Sequence, residues 1–205
     1  MQYVTVSDSS ESEIIIERSR FLTLVAPCAN EEEARALLSK RKKQHFSANH
    51  NCYAFIAEGG QIAKFSDDGE PGGTAGAPIM EALKKSGVIN AIVIVTRYFG
   101  GIKLGAGGLT RAYIRSAAEG LKAAKKATFY LTDKIRFSLS YEDYQTFLRF
   151  SFDGAKVASV DFSDSVTVTM NVKSEAITSF NDSFTQTFLG KYAYEFIQKE
   201  YVELD

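Results

Sequence analysis

Residues 91–113, AIVIVTRYFGGIKLGAGGLTRAY, decide how the chain is read. The stretch passes from a continuous apolar segment, 91–95, through a loop carrying five glycines and into a pattern of helical period. A short apolar run bounded by glycine reads as a buried strand, and small residues after it let backbone approach backbone or ligand closely. Two phosphate motifs fit only in part. Gly100 and Gly105 have the gap of a P-loop, but Ala106 and Gly107 stand where that motif needs Lys and Ser or Thr. Gly105 and Gly107 begin a dinucleotide fingerprint, but Thr110 takes the place of the third glycine. What remains is more general. Gly107 and Gly108 opening a helix present unpaired N–H groups at the positive end of its dipole, with Arg97, Lys103 and Arg111 nearby in sequence. This is an expected anion site; the alternative is that the glycines only permit a tight crossover packed on a sheet.

On the N-terminal side, HNCYAFIA at 50–57 reads as a buried strand, turned by Gly59 and Gly60 into a partner at 61–65. The loop SDDGEPGGTAGAP, 66–78, has no apolar anchor and must be held by backbone contacts or a ligand. A short helix is expected at 79–85 with Pro78 at its first position, closed by Gly87. Further upstream, extended runs at 3–6 and 13–26 flank Ser7-Asp8-Ser9-Ser10 and predict a hairpin, with a bulge or bend at Ser19 and Arg20. Asn30 is a plausible N-cap for a helix with Glu31, Glu32 and Glu33 in its first turn and Lys40, Arg41, Lys42 and Lys43 in its last.

On the C-terminal side, 109–126 is helical by pattern. Arg111, Arg115, Lys122 and Lys126 share one face, interrupted by Glu119, which is either a phosphate-facing stripe or a solvated outer face. From 134 the pattern restarts as strand, helix, two strands, helix and strand. This βαββαβ order is the ferredoxin-like one, so the fold class is α+β with domains at 1–133 and 134–205.

Apolar content of 45% with 24% charged residues is ordinary for a globular protein. No apolar run approaches the roughly 18 residues of a membrane span, so no membrane partner is expected. Two cysteines, Cys28 and Cys52, make no disulfide framework, and no signal-like segment leads the chain, which points to the cytoplasm. The net charge of −1 conceals an asymmetry: residues 1–126 carry 17 Lys and Arg against 13 Asp and Glu, and 127–205 carry 7 against 12. A net of +4 beside one of −5 suggests a polyanion-facing segment next to an acidic one.

With HNCYA at 50–54, SDDGEPGGTAGAPI at 66–79 and VTRYFGGIKLGAGGLTRAY at 95–113 in hand, the chain resembles the YigZ/IMPACT family. The resemblance implies an N-terminal α/β sandwich like domain 2 of a small-subunit ribosomal protein, with a left-handed βαβ crossover. It also implies a C-terminal ferredoxin-like domain, the pair resembling the last two domains of elongation factor G. It further implies a link to translation or RNA. Eukaryotic members regulate translation by competing for the activator of a starvation-responsive kinase, using an N-terminal domain that is not found here. The resemblance supplies no settled reaction or catalytic residues.

Several residues invite chemistry. His50 and Cys52 lie two apart on a strand and face one side, as a nucleophile and base would, although a buried structural Cys is the commoner use. Zinc would need His45, His50, Cys28 and Cys52 to converge without any standard spacing. Asp67, Asp68 and Glu70 are candidate ligands for Mg²⁺ beside a phosphate held by Arg97 or Lys103, or else members of an ion-pair network pinning the loop against Arg97 and Arg111. Tyr98 and Phe99 are available to stack on bases or to pack in the core. The first expectation is a non-enzymatic protein of the translation machinery with no cofactor. It engages RNA, the ribosome or a ribosome-associated partner through Arg97, Lys103, Gly107, Gly108, Arg111 and Arg115. The alternative is an enzyme acting with Mg²⁺ on a nucleotide or small phosphorylated ligand in the glycine and carboxylate cleft.

Overall fold

The computed structural model describes residues 1–204 and shows an α+β chain that divides into two units, one of residues 3–127 and one of residues 128–204 with residues 1–2. The division falls between Ala127 and Thr128, whereas the sequence reading sets it at 133, inside a strand.

In the first unit β2 (Ser10–Ile16), β3 (Ser19–Pro27), β4 (His50–Ala57), β5 (Ile62–Ser66) and β6 (Ala91–Tyr98) form one antiparallel sheet in the order β2-β3-β6-β4-β5. The strand β6 occupies its centre and is buried from Ala91 to Arg97. Both faces of β6 are covered, which explains the continuous apolar run in place of alternation. Ile92 and Ile94 pack with Ala34, Leu37 and Leu38 of α1 (Glu31–Gln44). Ala91, Val93 and Val95 pack on the other side with Ile79 and Leu83 of α2 (Gly76–Ser86) and Tyr113 and Ala117 of α3 (Gly105–Ala123). At the N-terminus of α1, the Asn30 side chain accepts from Glu33 N at 2.9 Å while Glu33 accepts from Ala29 N at 2.7 Å, so both residues satisfy donors that the helix leaves open. Gly120 lets α3 sit directly on β3: a Cβ there would lie 2.5 Å from Thr23 Cγ2.

Several local expectations are corrected. The hairpin is not formed across Ser7–Ser10. Instead β2 and β3 are joined by the two-residue turn Glu17-Arg18, with φ of 46° and 65°. Two consecutive left-handed residues match the strand twist, but neither residue is a type that announces such a turn. The first strand, β1 (Gln2–Val6), pairs with β7 (Lys126–Leu139). The helix expected at 79–85 begins at Gly76, which places Pro78 third, still within the turn where a missing N–H costs nothing. The helix expected at 109–126 runs from Gly105 to Ala123, so Gly107 and Gly108 lie inside its first turn and Lys126 opens β7.

The second unit holds β7, α4 (Tyr141–Phe147), β8 (Ala155–Phe162), β9 (Val166–Lys173), α5 (Ile177–Thr187) and β10 (Glu195–Glu203). Its strands run β10-β7-β9-β8, each neighbour antiparallel. Ile135, Phe137 and Leu139 of β7 and Val168 and Met170 of β9 meet Phe147, Phe180 and Phe184 from the helices. The aromatic rings make edge-on and tilted contacts, such as Phe137 to Phe184 at 4.7 Å between centroids. Among the described residues no helix is long and apolar enough to cross a membrane.

Candidate functional site

The loop between β5 and α2 is pinned by its own carboxylates. Asp67 Oδ1 accepts from the N–H groups of Ala75 at 3.0 Å and Gly76 at 2.8 Å, and Oδ2 accepts from Gly73 N at 2.9 Å. Ala75, the N-cap residue of α2, has no side-chain oxygen to offer the helix, so Asp67 performs that role from nine residues upstream of Gly76. Burial pushes the Asp67 carboxyl up, but the three N–H bonds outweigh it and hold the group below the usual carboxylate range. Asp68 accepts from Lys42 Nζ and from Asn51 N, both at 2.6 Å. Its carbonyl accepts from His50 Nδ1 at 2.9 Å, which makes Nδ1 the protonated nitrogen.

Glu70, the third carboxylate, is buried. Its Oε1 accepts from Arg97 Nη1 at 2.7 Å and from the Tyr113 hydroxyl at 2.8 Å. Burial, reinforced by Cys52 and Glu70, pushes the Tyr113 phenol far above its ordinary value, so it stays a neutral donor. Arg97 is itself 6% exposed and lies over the rings of Phe21 and Phe99, at 5.4 and 5.6 Å from their centroids. Glu70 Oε2 stands 3.8 Å from His50 Nε2.

Asp67, Asp68 and Glu70 therefore do not converge. Among the described residues no group of three or more His, Cys, Asp or Glu is placed to hold a metal ion. Of the expected ion pairs, Glu70 meets Arg97, while Arg111 has no carboxylate partner among the described residues and Asp68 pairs instead with Lys42. His50 and Cys52 do face one side of β4, but they have separate partners. Cys52 Sγ donates to the Asp67 carbonyl at 3.0 Å and lies 3.4 Å from the Tyr113 hydroxyl. Burial pushes its thiol up to about 12, against the lowering contact with Tyr113. Cys28 lies in the cluster on the opposite face of the sheet from Cys52, so the four supposed zinc ligands stay apart. Tyr98 binds His45 Nδ1 through its hydroxyl at 2.9 Å, and Phe99 is 45% exposed.

A cavity of about 390 Å³ brings the two motif loops together. His50, Glu70, Arg97 and Lys103 are polar members of its lining and Phe99, Leu104 and Leu109 apolar ones, with Gly105 and Ala106 beside them. The last two begin α3, whose first-turn N–H groups have no intrahelical acceptor and whose Leu104 cap supplies none. Arg111 and Arg115 follow on the exposed side of the same helix. Of the residues the sequence reading placed beside the glycine loop, Arg97 and Lys103 line this cavity and Arg111 does not. The sequence reading missed Tyr113 and Asn51, whose roles depend on partners 43 and 17 residues away.

Residues 17–121, which contain every residue of this cavity, match the family model described as the Impact N-terminal domain. The chain is 53% identical over 120 residues to the IMPACT family member YvyE of Bacillus subtilis, a match covering 58% of this chain and 55% of that protein. It is 29% identical over 211 positions to an IMPACT family member of Haemophilus influenzae, covering 96% and 98% of the two chains. It also resembles a solved structure titled as a hypothetical protein, with a TM-score of 0.63 and 27% identity over 97% and 98% of the respective chains.

Proposed function

The chain belongs to the IMPACT family, and from that membership we propose that its first unit is a non-enzymatic RNA-binding module linked to translation. One observation carries the reading. Arg111 and Arg115 are exposed on α3 with no ion-pair partner among the described residues, and the same helix begins at the cavity beside the equally unpaired Lys103. Unpaired guanidinium groups along a helix, ending at open backbone N–H groups, suit successive phosphates of a polyanion. The exposed ring of Phe99 on the cavity wall offers a face for a base.

The fold supports a finer kinship in the same spirit. The strand order β10-β7-β9-β8 with two helices favours a ferredoxin-like second unit, and the two-sided sheet of the first favours likeness to domain 2 of a small-subunit ribosomal protein. The pair of folds is then that of the last two domains of elongation factor G, with the acidic second unit serving protein contact.

The test is binding to ribosomes and to a structured RNA across a salt series, comparing wild type with Arg111→Ala/Arg115→Ala. Loss of two phosphate contacts reduces the slope of log affinity against log salt by about 1.4–1.8, the range between single-stranded and duplex ligands. Unchanged affinity and slope in the double variant overturn the assignment.

A further inference from the structure

Three kinds of donor border the cavity of about 390 Å³. Arg97 is 6% exposed and spends Nη1 on Glu70 Oε1 at 2.7 Å and Nη2 on Ser19 Oγ at 3.4 Å. Its buried Nε–H has no acceptor among the described residues. A buried donor left so is costly, and an acceptor brought from outside the chain relieves it. Lys103 is a second donor, with no ion-pair partner among the described residues. The first turn of α3 supplies the third kind. No side chain caps that helix, Gly105 and Ala106 line the cavity, and a Cβ at Gly105 would meet nothing within 4 Å.

Charge and oxygen count name the acceptor. Arg97 and Glu70 offset each other, which leaves Lys103 and the positive end of the α3 dipole to be matched. A phosphodiester carries one charge and two free oxygens. A phosphate monoester carries a charge of about −1.5 to −2 and three acceptor oxygens, one for each kind of donor. The recess also falls within the roughly 300–1,000 Å³ that encloses a small ligand, whereas a diester has chain leaving it on both sides. We propose that the cavity seats a terminal phosphate, a monoester whose oxygens accept from Lys103, from the first-turn N–H groups of α3 and from Arg97 Nε. Carried on an RNA end, it fixes where the strand begins and leaves Arg111 and Arg115 for the phosphates that follow. That carrier rests on the RNA-binding reading; the seat itself does not, since a mononucleotide presents the same group.

The test titrates the full chain with single-stranded RNA of one sequence bearing a phosphate at its 5′ end, at its 3′ end or at neither. A bare-ended strand one nucleotide longer controls for added charge, and adenosine 5′-monophosphate is titrated alongside. Wild type binds an end-phosphorylated strand about tenfold more tightly than the bare one, as charge-assisted hydrogen bonds allow, and the longer bare strand does not share the gain. In Lys103→Ala the ratio falls toward unity. Ala106→Asp sets a carboxylate in the first turn, where a helix accepts one, and lowers the ratio too. Each ratio compares ligands on one protein, so a loss of folded material does not imitate the effect. Equal affinity for phosphorylated and bare strands, or an equal gain from the longer bare strand, overturns the inference and leaves the RNA reading standing. A ratio undiminished in both variants also overturns it. Lys103-dependent binding of the mononucleotide with no strand bound upholds the seat and overturns the RNA reading; binding of neither overturns both.

Discussion

Replacing Asp67 by Ala removes the acceptor for three backbone N–H groups at once. Gly73 is exposed and can turn to water, but Ala75 and Gly76 are buried and cannot. Each orphaned buried donor costs about 1–3 kcal/mol, so the variant loses about 2–6 kcal/mol. Asp67→Asn keeps one oxygen for Ala75 and Gly76 and sets an amide N–H against Gly73, which lowers the expected loss to about 1–2 kcal/mol. Urea unfolding followed by circular dichroism gives the order wild type, Asn, Ala, and amide exchange localises the weakening to the first turn of α2. Acid supplies a second axis. The folded carboxyl titrates below its unfolded value of about 3.9, so its contribution is complete above that pH and is lost as pH falls through the folded value. The gap between wild type and Asp67→Ala is therefore widest at neutral pH and closes in acid. An Ala variant within about 0.5 kcal/mol of wild type, or an Asn variant weaker than the Ala one, refutes the reasoning.

Tyr113→Phe leaves Glu70 Oε1 with Arg97 alone and lowers stability by about 1–3 kcal/mol, measurable in the same urea titration. Gly120→Ala drives a Cβ to 2.5 Å from Thr23 Cγ2 and costs about 1–3 kcal/mol, whereas Gly107→Ala meets only Arg111 Nη1 at 3.7 Å and gains about 0.5–1 kcal/mol; equal effects at the two positions contradict the packing described for α3. Cys28 and Cys52, each pushed up to about 12 chiefly by burial, resist iodoacetamide at pH 8 in the folded protein and react once it is unfolded, as mass spectrometry can follow.

The central strand and α1 were legible because their signals are local. An apolar run marks burial on both faces, and Asn30 with its three following glutamates marks a helix start. Glu17-Arg18 was hidden because the turn is imposed by the pairing of its flanking strands and not by the residues within it. The start of α2 was misplaced for a related reason: its cap is Asp67, far from where a cap is sought. The carboxylates suggested a metal because sequence shows that they are neighbours but not that each turns to a different partner. Arg97 and Lys103 were found by proximity to the glycine loop. Tyr113 was not, since nothing in a helix sequence says which hydroxyl reaches across to a buried carboxylate.

The position of β6 also shapes the history of every newly made chain. The hairpins β2–β3 and β4–β5 are each local in sequence and can close as soon as they are synthesised. Neither pairs with the other. Both must wait for a strand translated later to slot between them, and until then the inner edges of β3 and β4 are open rows of hydrogen-bonding groups flanked by apolar side chains. The interval between completing β5 and delivering β6 is thus the window in which a nascent chain is most exposed to pairing with a neighbour, and slow synthesis through residues 67–98 lengthens it.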